Sequence, residues 1–153
     1  MLPQDGTTRG REFAVVPEIN VWGVLVAALS TMVVGSIWYT PKVFGNYWMR
    51  IAKVDPGRDA RGAWKPIVLT FVVSLVSAWV LAGSAVIAQG FYGGSFLANS
   101  LVTALILWAG FTAARFITHD AFEGRPVGLT VLNCAHELVT FVVMALVIGL
   151  FGR

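Results

Sequence analysis

The chain has 153 residues, 57% of them hydrophobic and only 12% charged, with a formal net charge of +3. A soluble domain carries about 25% charged residues, so this composition excludes an ordinary water-soluble globule, and the short length points to a single domain. One cysteine, Cys134, excludes an intrachain disulfide.

Residues 1–18 read as a polar N-terminal tail, broken by Pro3, Gly6, Gly10 and Pro17. A four-helix transmembrane domain is expected over 19–151. Its first span covers Ile19–Tyr39, with Glu18 or Asn20 as candidate cap. This stretch is too long for a signal-peptide core and has no small-x-small cleavage pattern, so a retained helix is expected. It ends at Trp38-Tyr39-Thr40-Pro41, because proline cannot continue the hydrogen-bond ladder.

A basic loop follows, from Pro41 to Lys65. Its first part puts Phe44, Trp48 and Ile51 on one helical face, which predicts a short interfacial helix at headgroup level. Trp38, Tyr39, Phe44, Tyr47 and Trp48 form an aromatic cluster here. It reads as an interfacial belt, or as a cap in which Trp38, Tyr39, Phe44 and Trp48 seal the cytoplasmic end of the bundle. Asp55-Pro56-Gly57 predicts a turn.

The second span is expected at 66–88, opening on Pro66. Glycine-rich Gln89–Ser95 then makes a tight hairpin to a third span at 96–118. His119–Pro126 reads as a solvated loop that includes His119 and Asp120, and the fourth span covers 127–150. Each charge-poor run has at least 21 residues, and about 20 suffice to cross the hydrocarbon as a helix. A spanning sheet would need polar–apolar alternation, which is missing, and backbone groups in lipid must be satisfied internally. The expected fold class is therefore all-α: an integral membrane four-helix bundle with a short interfacial helix between the first two spans.

Lys and Arg set the expected orientation. Lys42, Arg50, Lys53, Arg58, Arg61 and Lys65 share the first loop; Arg115 and Arg125 lie on the same side; Arg9, Arg11 and Arg153 lie on the other. The positive-inside rule puts the basic loop in the cytoplasm and both termini outside. Membrane orientation also accounts for the basic excess, so no nucleic-acid partner is expected; the expected partners are the lipid bilayer and further copies of the chain.

Three spans present a face of small or polar residues: Asn20, Gly23, Ala27, Thr31 and Trp38; Thr70, Ser74, Ser77 and Ser84; Asn99, Thr103, Gly110 and Ala114. Such faces make helix–helix seams or, with an ionisable group at depth, a polar pathway. The fourth span supplies that group. Glu137, next to His136, sits roughly 15 Å from either helix end, too deep to reach the interface, and carrying charge there costs a few kcal/mol. Thr130, Asn133, Glu137 and Thr140 follow i, i+3, i+7, i+10 spacing, while Val131, Leu132, Ala135, Leu138, Val139, Val142 and Leu146 read as the lipid face. The candidate intramembrane polar site is thus Glu137, His136, Asn133, Thr140 and Thr130. Two readings stand: a proton or substrate site with His136 as relay, or a packing cluster in which Glu137 bonds Asn133 or a serine of the second span. Arg115 is a candidate counter-ion, although its place near the helix end favours reaching out to the interface.

Cys134-x-His136 is not a metal motif by itself, and metal binding would need ligands from other helices or protomers. No phosphate loop or nucleophile elbow is present, so no catalytic residue or cofactor is assigned. The leading functional reading is an oligomeric transporter-like or channel-like protein of unassigned substrate. The alternatives are an accessory subunit of a membrane complex and, last, an enzyme acting on lipid or quinone.

Gly35-Ser36-Ile37-Trp38-Tyr39-Thr40-Pro41-Lys42-Val43-Phe44-Gly45-Asn46-Tyr47-Trp48 resembles the signature of a bacterial membrane family, domain of unknown function 1761. Glu123-Gly124-Arg125-Pro126 and Asn133 are also similar, and the resemblance spans about residues 19–150. It implies a four-helix protein of the bacterial cytoplasmic membrane and carries over no activity.

Overall fold

A computed structural model describes residues 17–54 and 64–152. Most of the polar tail, the Asp55-Pro56-Gly57 turn, Arg58, Arg61 and Arg153 lie outside the described residues. The elements are α1 (Val21–Trp38), a short α2 (Asn46–Ile51) entered through a π-helical turn at Pro41–Gly45, α3 (Trp64–Tyr92), α4 (Phe96–Glu123) and α5 (Val127–Phe151). All described regular structure is helical. α1, α3, α4 and α5 have 18, 29, 28 and 25 residues and are long and apolar enough to cross a membrane.

Local chemistry sets the boundaries. Asn20, in extended backbone, accepts from the Gly23 amide at 3.1 Å, a cap that contributes about 1 kcal/mol. Its amide also donates to the Phe151 carbonyl at 3.3 Å, joining the start of α1 to the end of α5. After α1, Thr40 is extended, as a residue before proline must be. The chain then turns so tightly that any Cβ on Gly45 would strike the Tyr39 and Thr40 backbone.

Between α3 and α4 the chain reverses over Gly93 and Gly94, both at positive φ. Gln89 donates to Gly94 O at 2.9 Å and Asn99 to Gly93 O at 2.8 Å, so both side chains tie the turn. α4 runs to Glu123, further than the span expected at 96–118, and ends at Gly124, a left-handed glycine cap. His119 and Asp120 therefore lie on a helix, and the loop shrinks to Gly124–Pro126. α3 begins at Trp64, two residues before Pro66. That proline falls in the first turn, where a missing amide hydrogen leaves no intrahelical bond unmade.

The four long helices form a square. α1 packs on α3 and α5, α4 packs on the same two, and the α3–α5 diagonal is loose. Packing is tightest in the half nearest the chain termini. Ala27, Ala28, Ala78, Leu81, Ala104 and Ala145 are fully buried there, with Met144 and Ile148. Small side chains let the backbones approach: Gly23 lies against Phe151, and Gly149 against the backbone of Leu97. On α4 the buried stripe is Ser100, Ala104, Ala113 and Asp120 rather than Asn99, Thr103, Gly110 and Ala114. The expected stripe is rotated by about one residue, because Asn99 is occupied by the turn and Gly110 has open space beside it.

The outside is apolar. Leu29, Leu69, Val72, Trp79, Ile106, Phe111 and Val131 are all exposed, a surface that water would not tolerate as a monomer. Leu132, expected on the lipid face, is buried.

Gly149→Ala would place a methyl carbon 2.8 Å from Leu97 Cα. The expected cost is about 1–3 kcal/mol, read as a lower melting temperature in detergent. An unchanged melting temperature would count against the close α4–α5 contact.

Candidate functional site

The half of the bundle nearest α2 is open. A groove of about 670 Å³ runs between the C-terminal half of α1, the N-terminal half of α3 and the middle of α5. It stops at the Met144 level, where the alanine-rich packing begins. Thr31 and Ser74 mark that boundary: their hydroxyls are 2.8 Å apart, a buried hydrogen bond joining α1 to α3.

Of the expected polar site, His136, Glu137 and Thr140 line this groove. Glu137 Oε1 lies 3.3 Å from His136 Nδ1, with the side chains 31% and 15% exposed. Neighbouring helical residues point about 100° apart, so the pair meets only because both side chains lean into the same opening. With its proton on Nδ1, the imidazole donates to the carboxylate and leaves Nε2 as an acceptor. His136 Nε2 and Trp38 Nε1 are buried and have no hydrogen-bond partner among the described residues. Buried orphans of this kind are rare in folded proteins. Thr140 is buried and donates to the His136 carbonyl at 2.9 Å.

The aromatic residues meet this pair directly. The Tyr39 ring lies 5.1 Å from the His136 ring and 5.4 Å from Trp48, centroid to centroid. Trp38 lies 5.7 Å from His136 and 4.5 Å from Phe44. Tyr39 and Trp48 line the groove, while Trp38 and Phe44 line an apolar recess on the other side of α5. Gly35 leaves room beside the imidazole: a Cβ there would sit 3.7 Å from Nε2. The motif from Gly35 to Trp48 is therefore a single wall that turns at Pro41 and folds back on α5.

The other two residues lie elsewhere. Asn133 is half-buried and does not line the groove. Thr130 donates to Asp120 Oδ2 on α4 at 2.7 Å. Thr130 is seven residues from Glu137, about 10 Å along the helix, and one helical face meets different neighbours at different depths. Asp120, expected in solvent, is buried; Arg125 Nε lies 3.7 Å from Asp120 Oδ1 and also pairs with Glu123. This cluster closes the α4–α5 corner, and sequence reasoning missed it. The available signal was the glycine at 124, whose cap brings Arg125 back over Asp120. Trp108 was missed as well; its indole donates to the Cys134 carbonyl at 2.9 Å and pins a π-helical turn of α4 to α5.

Arg115 is exposed on α4, and the partner of Glu137 is His136. No group of three metal-ligating side chains occurs among the described residues. What the groove offers is one acid–base pair, several hydroxyls and two aromatic walls, in a space that fits a small molecule.

The family model described as "Protein of unknown function (DUF1761)" matches residues 22–149, and the chain belongs to that family. No curated protein and no solved structure matches it.

Structural and groove-lining acids should separate in stability measurements. Asp120→Ala leaves Thr130 without its acceptor and Arg125 with Glu123 alone, and should cost about 1–3 kcal/mol. Glu137→Gln keeps shape and should change stability by no more than about 0.5 kcal/mol. Thermal melts of both variants in one detergent check this; a larger loss for Glu137→Gln would make the acid a packing element.

Proposed function

We propose that this chain is a multi-pass protein of the bacterial cytoplasmic membrane that binds a small molecule in the α1–α3–α5 groove and moves it in a transporter-like manner, with Glu137 and His136 as the proton-carrying pair. The observation that carries the reading is an ionisable pair lining a groove that is open in one half of the bundle and closed by alanine packing in the other. An intramembrane acid is costly to keep, and those that persist usually serve a pathway or a relay. In this reading the groove is the open side of an alternating-access cycle, whose opposite state needs the N-terminal half of α3 to close toward α5 while the alanine-packed half parts.

Membrane residence is supported by the four apolar helices and by exposed aromatics at both ends: Trp22, Phe91 and Tyr92 near one, Tyr47 and Trp64 near the other. The lysine and arginine count supports the orientation with α2 and its basic loop in the cytoplasm and both termini outside. Four helices enclose little space, so the working unit in this reading is a homo-oligomer. Exposed apolar surface such as Val72 and Trp79 on α3 is available to a second copy as well as to lipid.

Proteoliposomes loaded with a pH-sensitive dye test the function. Solutes of different charge class are added outside, for wild type and for Glu137→Gln. At least one class should drive proton movement with the wild type, and the variant should lose at least nine-tenths of it. Silence of the wild type for every class would sink the transport reading. Orientation is checked separately with Cys134→Ser as background: a cysteine at Lys53 should be labelled from the cytoplasm, and one at Gly94 from outside.

A further inference from the structure

We infer that the groove binds a lipophilic organic cation, an ammonium or phosphonium group carrying apolar substituents, held between the Glu137 carboxylate and the Tyr39 and Trp48 rings. This rests on the reading of the groove as a ligand site and deepens it by naming the class of ligand.

Charge is the first argument. Among the described residues, the groove lining includes one carboxyl group, Glu137, and neither a lysine nor an arginine; its other ionisable side chains are His136 on α5 and Tyr39 at the end of α1. An anion would meet a carboxylate and no fixed positive charge. A neutral ligand could use that group only as a hydrogen-bond partner, whereas a cation also gains by charge in a site of low dielectric.

The rings supply the second argument. Tyr39 and Trp48 meet edge to face with centroids 5.4 Å apart, and Tyr39 packs against His136, which in turn touches Glu137. Cations are drawn to the faces of such rings at up to about 6 Å, and Trp and Tyr are the most effective partners. Aromatic rings around a carboxylate make a site selective for a diffuse, weakly hydrated cation over a compact metal ion. A metal would need more oxygen or nitrogen donors than this pair offers.

The apolar walls are the third argument. Phe141 and Met144 line the groove toward its closed end, and Ile67 and Val73 line its α3 side. Those side chains would hold hydrocarbon substituents, and the unbranched thioether of Met144 adapts to different shapes. Ser36 and Thr70 also line the groove; their hydroxyls donate to the Met32 and Pro66 carbonyls, which leaves their oxygens as acceptors for a cationic head.

Two ions of nearly equal size and shape but opposite charge make the test clean. Full-length protein in a neutral detergent is dialysed to equilibrium against radiolabelled tetraphenylphosphonium, and separately against tetraphenylborate, with protein-free micelles as blanks. Saturable binding of tetraphenylphosphonium is expected, weakened at least tenfold by Glu137→Gln and by Trp48→Ala and largely kept by Trp48→Phe; tetraphenylborate should not saturate. Should Trp48→Ala not elute as the wild type does, Trp48→Leu takes its place with the same expectation. Equal binding of the two ions, undiminished affinity in Glu137→Gln, or no saturable phosphonium binding to the wild type would each overturn the proposal. Proton movement driven by another class of solute, with no phosphonium binding, refutes the cation site alone. Phosphonium binding without any coupled proton movement refutes transport and leaves the cation site standing.

Discussion

The close approach of helix backbones through alanine and glycine sets the rest of this structure. In lipid, two apolar helices gain nothing by leaving the hydrocarbon for each other, so they associate through contact and hydrogen bonding. Ala27, Ala28, Ala78, Ala104 and Ala145 provide that contact in one half of the bundle, and the fit of Gly149 on Leu97 tightens it. A few large apolar residues, Leu81, Met144 and Ile148 among them, share that core, while many others, such as Leu29, Leu69 and Trp79, are turned outward.

The groove follows from where this packing stops. From the Thr31–Ser74 level toward α2 the groove-lining positions include Gly35, Thr70, His136 and Glu137, and no continuous alanine seam is available. The Tyr39 and Trp48 rings stand where a close helix contact would otherwise form. The chain can fold back there because Pro41 ends α1 and Gly45 admits a backbone crossing that any side chain would block. The motif that bears the family resemblance is thus a wall of the candidate site. A single polar contact, Thr31 to Ser74, marks the change from closed to open.

Two acids on neighbouring helices show how differently one residue type can be used. Asp120 is buried against Thr130 and Arg125, with its bonding satisfied by residues close in the chain and close in space. Glu137 has one partner, His136, and faces open volume. Their sequence contexts suggested the reverse emphasis for Asp120: it stands before Glu-Gly-Arg-Pro, which reads as a solvated loop. The helix instead runs past it to the left-handed cap at Gly124, which leaves Asp120 on a helical face that is buried.

By itself the sequence determined the helical class, the number of long apolar helices and the place of Glu137 midway along the last of them. These follow from run length, proline and glycine position and the cost of charge in hydrocarbon, which are local properties of the chain. The tertiary structure decided which polar residues share a site. Spacing grouped Thr130, Asn133, Glu137 and Thr140 on one face; the fold joined Glu137, His136 and Thr140 to Tyr39 and Trp48, sent Thr130 to Asp120, and left Asn133 outside the groove. The physical reason is that periodicity reports direction around a helix axis. What lies opposite at each height depends on how the neighbouring helices cross, and here α1, α3 and α4 face α5 at different depths.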